Sequence, residues 1–179
     1  MSGARILKSA GNVGAGHAPQ SFDGRAFRRA LGGFATGVTV VTARSADGVR
    51  VGMTVSSFNS VSLEPPLVLW SISRSSPSFP VFREVEFWCV NVLAADQAAL
   101  SNHFATPSAD KFAGLDFDEG LGGAPVLEGT VARFECRSYR HYDGGDHLIM
   151  VGQVERFERW ERPPLVFSSG AYCDIAPRS

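Results

Sequence analysis

The chain has 179 residues, of which 44% are hydrophobic and 20% charged, with a formal net charge of -1. That length suits one domain with its own core, and the composition is not that of a disordered chain. Near-neutral charge and scattered arginines leave no basic stripe to hold a phosphate backbone, so nucleic acid is excluded as a partner.

Residues 1–20 are rich in Gly, Ala and Ser and poor in large apolar side chains, which predicts a flexible tail ahead of a single domain over residues 21–179. The tail has no apolar leader and no later stretch offers the roughly 20 apolar residues of a membrane helix, so no membrane association and a cytoplasmic location are expected. Asp23 is placed to cap a helix running through Phe27, Ala30 and Leu31 and stopping at Gly32-Gly33, its apolar stripe calling for a sheet to cover it. Gly37 to Thr42 and Val49 to Ser56, rich in β-branched residues and separated by Ser45-Ala-Asp-Gly48, predict a hairpin. Leu67 to Ile72 and Phe87 to Val92 read as core strands, with a short helix between them that starts with Ser76 as cap and Pro77 in its first position. A second short helix is expected over about Ala95 to Phe104, then a long surface loop from Thr106 to Ala124 that lies over a ligand.

Ala132, Phe134 and Cys136 alternate with Arg133, Glu135 and Arg137, the period of a half-buried strand over Thr130 to Tyr142. Asp143-Gly-Gly-Asp146 turns the chain into a return strand from His147 to about Arg159, and Leu165 to Phe167 before Gly170-Ala-Tyr172 supplies a last short strand. The fold class is therefore mainly β with a few helices, and closure into a barrel is the economical way to remove exposed edges. Trp70 and Trp88 read as core.

Three widely spaced cysteines, Cys89, Cys136 and Cys173, fit neither a disulfide framework nor a zinc site, and no metal is expected. Dinucleotide-fold, P-loop, hydrolase-elbow and zinc-protease motifs are all missing. What stands out is Gly52-Met-Thr-Val-Ser-Ser-Phe-Asn-Ser-Val-Ser62, where small hydroxyl residues crowd a strand end and the loop after it. Such residues either cap turns and line strand edges or, with backbone N–H groups, hold an anionic ligand.

Taken in order, Phe34-Ala-Thr-Gly-Val-Thr-Val-Val-Thr42, Gly52 to Phe58 with Ser60-Val-Ser62, Pro65-Pro-Leu-Val68, Phe87-Trp-Cys-Val-Asn-Val-Leu93, Leu100-Ser-Asn-His-Phe104 and Gly145-Asp-His147 resemble the short-chain flavin reductase family over roughly Phe27 to Tyr172. The resemblance implies a split β-barrel that binds FMN or FAD and reduces it with NADH or NADPH. It implies that Thr54, Val55, Ser56 and Ser57 border the isoalloxazine ring or ribityl chain, with Ser60, Val61 and Ser62 nearer the phosphate and Asn91 and Val92 lining the same pocket. Thr36, Gly37, Gly52, Met53 and Tyr172 count with them as cofactor-binding positions. Ser76, Ser101, Phe104 and Lys111 are candidates for the phosphate or adenylate end, although a solvated loop charge is the plainer reading of Lys111.

On its own a lone histidine beside a turn reads as structural, but the same resemblance makes His147 a contact on the nicotinamide side that orients the carboxamide without acting as a general base. Family members commonly form homodimers and pass reduced flavin to a separate flavin-dependent monooxygenase, which sets the expected partners. A flavin-binding module without turnover is the alternative on the same barrel. An oxidase of the pyridoxamine-phosphate type would want a basic cluster that the chain lacks.

Overall fold

The computed structural model describes residues 23–176; the expected tail over residues 1–20 lies outside them. The strands are β1 (Thr36–Gly37), β2 (Thr39–Arg44), β3 (Arg50–Val55), β4 (Asn59–Leu63), β5 (Pro66–Ser73), β6 (Phe87–Val92), β7 (Phe117–Glu119), β8 (Pro125–Leu127), β9 (Ala132–Gly144), β10 (His147–Arg159), β11 (Val166–Ser168) and β12 (Ala171–Cys173), with helices α1 (Gly24–Gly32), α2 (Phe79–Glu84) and α3 (Ala98–Ala105). Seven strands form one antiparallel sheet in the order β3-β2-β6-β9-β10-β5-β4.

The two edge strands of that sheet, β3 and β4, follow each other in the chain with only Ser56-Ser57-Phe58 between them. Three residues span little more than about 10 Å even when extended, so the edges are drawn toward each other without pairing. The result is a barrel with a split. Ser57 ties the junction down: its hydroxyl accepts from Ser71 N at 3.0 Å and donates to Ser71 O at 3.3 Å.

Inside the curled sheet Trp70, Ile72, Phe82, Trp88, Val90 and Met150 pack as one buried cluster, and the two indoles meet edge to face at 6.0 Å. Trp88 fits only because its neighbour on β10 is a glycine, since a Cβ on Gly152 would stand 2.2 Å from Trp88 Cζ2. A second cluster of Val38, Val40, Leu93, Phe104, Phe112, Leu127 and Leu165 fills the space on the α3 side. A separate three-stranded sheet, β1-β11-β12, closes that side.

Most expected elements form where the sequence places them: Asp23 Oδ1 accepts from Arg25 N at 2.8 Å to cap α1, and β6 and β10 keep their expected bounds. Several expectations are corrected. Among the described residues no sheet covers α1, and Phe27 and Leu31 stay 48% and 57% exposed. Helix α2 starts two residues late, with Ser78 in the cap position and Pro80 in its first turn, because Ser76 O and Oγ accept from Phe79 N and Ser78 N and spend one turn before the helix begins. Asn59–Leu63 is a strand, not a loop, because β5 offers it an open edge to pair with. The 106–124 segment is not a bare surface loop: Phe112 is buried against Phe104 and Phe117, and β7 pairs with β8. The alternation on β9 fails at Glu135, only 4% exposed, where the turn at Leu121–Gly123 covers the outer face and Leu121 N donates to its carboxylate at 2.8 Å. The last short strand is two, β11 and β12, paired as a hairpin. Among the described residues no helix is long and apolar enough to cross a membrane.

Candidate functional site

As an edge strand, β3 pairs only with β2, so alternate backbone N–H and C=O groups on its other side are left for another partner. Helix α3 lies along this edge and the β11–β12 hairpin stands beyond it, leaving a groove between the three. Side chains fasten the walls together. Thr54 Oγ1 donates to Ser101 O at 2.6 Å, and the Tyr172 hydroxyl donates to Asn102 Oδ1 at 2.8 Å and bonds the Ser101 hydroxyl at 2.9 Å.

The groove comprises two adjoining cavities that share Thr54 and Ala105. One, about 260 Å³, is walled by Val38, Val55, Ser56, Phe167 and Tyr172 and is mostly apolar; the other, about 190 Å³, is walled by Met53, Ser76, Ser78, Phe104, Ser108 and Lys111. Together they reach the size of a small-molecule site, roughly 300–1,000 Å³. An apolar slot beside a strand edge suits a flat heteroaromatic ring, and the hydroxyl-rich end with its lysine suits a phosphate, so the residues present fit a flavin nucleotide.

Lys111 is not the solvated loop charge of the plainer reading. Its Nζ donates to Gly52 O at 3.2 Å and Phe104 O at 2.7 Å, and burial pulls its pKa below the ordinary lysine value. His103 Nε2 holds the same segment through Lys111 O at 2.7 Å. Two backbone acceptors leave one ammonium N–H for a ligand. Gly52 sits behind the groove, where a Cβ would stand 2.6 Å from Phe104 Cε1, so glycine is what lets Phe104 lie flat on β3.

Of the expected positions, the structure brings Met53, Thr54, Val55, Ser56, Ser76, Ser101, Phe104, Lys111 and Tyr172 together around this groove. Others stand apart from it. Asn91 is fully buried and does not line it: its amide donates to Val40 O at 3.1 Å and Thr42 Oγ1 at 3.2 Å and its carbonyl accepts from Leu127 N at 2.9 Å, so every strong hydrogen-bonding direction but one is spent inside the core. Val92 is paired between Thr39 and Ala132 in the middle of the sheet. Ser60, Val61 and Ser62 point from the outer edge strand β4, and Ser57 is committed to Ser71. Thr36 and Gly37 pair with Phe167 and Val166, one layer behind the hairpin wall. His147 opens β10 at a neighbouring turn, its Nδ1 on Asp146 Oδ1 at 2.7 Å.

Asn102, Phe167 and Ser108 are groove residues that the motifs alone do not single out. Phe167 has a visible signal, since it pairs directly with Tyr172 across the hairpin. A larger cavity of about 320 Å³ lies by Arg133, Trp160 and Arg162. Its arginines are already paired, with Glu158 and Asp96 at 2.8 Å each, and it gathers none of the expected residues.

A family model described as the flavin reductase like domain matches residues 31–176, nearly all of the described chain. The chain belongs to the flavin reductase-like family. It is 50% identical over 154 residues to the FMN reductase (NADH) SmoA of Agrobacterium fabrum, covering 86% of this chain and 87% of that protein. It is 42% identical to the flavin-dependent monooxygenase reductase subunit HsaB of Rhodococcus jostii, over 89% of this chain and 82% of the other. Among solved structures, the NADH:FAD oxidoreductase SgcE6 of Streptomyces globisporus, in complex with NAD and FAD fragments, superimposes with a TM-score of 0.82 at 41% identity, covering 86% of this chain and 94% of that one. In this flavin reductase-like chain the groove therefore combines the family's match with a wall built from the segment that carried the resemblance.

Proposed function

We propose that the chain is an NADH-dependent flavin reductase that binds FMN or FAD in the β3–α3–β12 groove and releases it reduced. The observation that carries this is the groove itself, an open strand edge facing an apolar slot with a lysine and hydroxyls at one end, in a chain 50% identical to a protein named for NADH-dependent FMN reduction. The hydride chemistry belongs to the two cofactors when bound. The protein's part is positioning. The free edge of β3 and the Ser101–Tyr172–Asn102 clamp hold the ring plane, and the outward N–H groups of Thr54 and Ser56 stabilise negative charge on its polar rim. Lys111, with Ser76 nearby, holds the phosphate end. His147, fixed through Nδ1 by Asp146, presents Nε2 to the nicotinamide carboxamide.

We further read the chain as a cytoplasmic homodimer that supplies reduced flavin to a flavin-dependent monooxygenase. HsaB is named as such a reductase subunit, and the exposed apolar stripe of Phe27, Leu31 and Phe34 is the kind of surface a second copy covers.

Titration with FMN and with FAD, followed by quenching of flavin fluorescence, tests the groove, and NADH oxidation with added flavin tests turnover. No association with either flavin overturns the proposal; association without turnover leaves a binding module. In the same assays His147→Ala raises the NADH KM about tenfold, the effect of removing one good hydrogen bond, while leaving flavin affinity unchanged. Equal loss of both counts against the assigned role.

A further inference from the structure

The β9–β10 ribbon is longer than its neighbours in the sheet. Each of its strands has 13 residues, and β10 pairs with β5 only over His147 to Gln153. Strand β5 begins at Pro66, where the chain comes in from β4. Residues 155–159 of β10 therefore keep β9 on one side and, among the described residues, have no strand on the other. Alternate N–H and C=O groups along that side are open to a further strand.

Charges guard an open edge when they repel a copy of the same edge. Here they do the reverse. The run is Glu155, Arg156, Phe157, Glu158 and Arg159, in which each charge is mirrored about Phe157 by its opposite. Laid antiparallel on its own copy with Phe157 on the two-fold axis, the strand sets Arg156 against Glu158 and Glu155 against Arg159, each pair twice. The nearest registers that keep the faces aligned put Arg156 on Arg156 or Glu158 on Glu158, so like charges exclude them. Glu155 and Glu158 also accept from Arg137 at 3.2 Å and Arg133 at 2.8 Å on β9, and a carboxylate has lone pairs for a second donor.

Apolar side chains crowd the same end of the barrel. Phe157 is 70% exposed and stacks on Phe134 at 6.5 Å, Phe134 meets Phe58 at 5.5 Å, and Leu63 at the β4–β5 turn is 95% exposed. An uncovered apolar rim of this kind marks an interface. A five-residue strand is too small for a stable dimer, and the rim supplies the rest of the contact.

We propose that residues 155–159 of β10 form the two-fold interface between copies of this chain, pairing antiparallel about Phe157 and joining the two sheets edge to edge. This rests on the homodimer reading above and gives that dimer its axis.

Sedimentation velocity over a range of concentrations tests it. Wild type is a dimer. Arg156→Glu and Glu158→Arg each set like charges opposite one another in two symmetry-related pairs and raise the dimer Kd about 10- to 100-fold. The double variant Arg156→Glu/Glu158→Arg restores opposite charges in both pairs and brings the Kd back toward the wild-type value. In a Cys173→Ser background, Phe157→Cys forms a reducible cross-linked dimer on oxidation, because residues facing each other on the axis stand about 4.5–5.5 Å apart at Cα, within disulfide reach. Arg159→Cys does not, since its two copies lie about 13 Å apart. A wild-type dimer that neither charge reversal weakens and that Phe157→Cys does not cross-link overturns this interface and leaves the homodimer reading to another face. A double variant as weak as the single ones overturns the register. Wild type that stays monomeric at every concentration removes the homodimer reading as well.

Discussion

Two polar networks, one built on Asn91 and one on Tyr172, look alike in composition and differ in what their hydrogen bonds leave over. Asn91 joins β2, β6 and β8 in a sealed interior, where Val40, Thr42 and Leu127 take three of the four hydrogen-bonding directions of its amide and the weak Cys89 thiol donor takes the last. The second network joins β3, α3 and β12 through Thr54, Ser101, Asn102 and Tyr172, half-buried along a groove that opens to solvent. A buried polar group with every partner inside the protein is structural, because nothing is left for a ligand and removal strands its partners. A network that fastens the walls of a cavity while leaving a strand edge free is the one that can bind.

The sharpest way to separate the two is to break the sealed one. Asn91→Ala leaves Leu127 N buried without a partner, at about 2 kcal/mol, and takes from Thr42 Oγ1, and from Val40 O beside its place in the β2–β6 ladder, a hydrogen bond of about 1 kcal/mol each. For a chain of this size Tm falls by roughly 2–4 °C per kcal/mol, so a loss of about 8–16 °C is expected by calorimetry. Flavin affinity of the folded variant stays at the wild-type value. A large loss of flavin affinity with an unchanged Tm would place Asn91 in the groove after all.

Gly52→Ala acts between the two regions, on the packing that underlies the groove. The new methyl meets Phe104 Cε1 at 2.6 Å and Phe112 Cζ at 3.1 Å, and neither ring can retreat without displacing the cluster behind it. Overpacking of this kind costs about 1–3 kcal/mol. Phe104 shifts toward the cavity, so flavin affinity and Tm, read by titration and calorimetry, fall together.

How much of this is legible in the sequence follows from how local each signal is. The β9–β10 hairpin is plain, because its glycine turn and its alternating strand lie within one continuous stretch, and Thr54 to Ser56 are plain because hydroxyl and β-branched residues sit together on one strand. Asn91 is not, since its partners Val40 and Leu127 are 51 and 36 residues away and only the sheet order brings them over it. The same holds for Lys111, whose surroundings are set by Gly52 at a separation of 59. The placing of α1 away from the sheets of the described residues escapes the sequence for the opposite reason: its periodicity is correct, but periodicity says that a stripe must be covered and not by what.

Tyr172→Phe breaks the open network at its centre. The phenol gives up its bonds to Ser101 and Asn102, and because it is half-buried and water can replace part of what is removed, stability falls by only about 1 kcal/mol. Loosening of the hairpin wall raises the Kd for flavin about 3- to 10-fold, read by fluorescence titration, the reverse of the pattern for Asn91. Equal behaviour of the two variants would erase the distinction between the sealed network and the open one.

Ser60→Ala provides the smallest effect and tests whether the groove has been drawn in the right place. Ser60 stands exposed on β4, across the sheet from β5 Val68, and its hydroxyl makes no hydrogen bond within the described residues. On this geometry the substitution changes stability by less than about 0.5 kcal/mol and leaves flavin affinity alone. The hydroxyl residues of β3 and β4 have nearly the same local composition, so only their position across the split of the barrel separates them. A clear loss of flavin affinity in Ser60→Ala would mean that the bound ring or its phosphate reaches over the split to β4, and the phosphate end would then move away from Lys111.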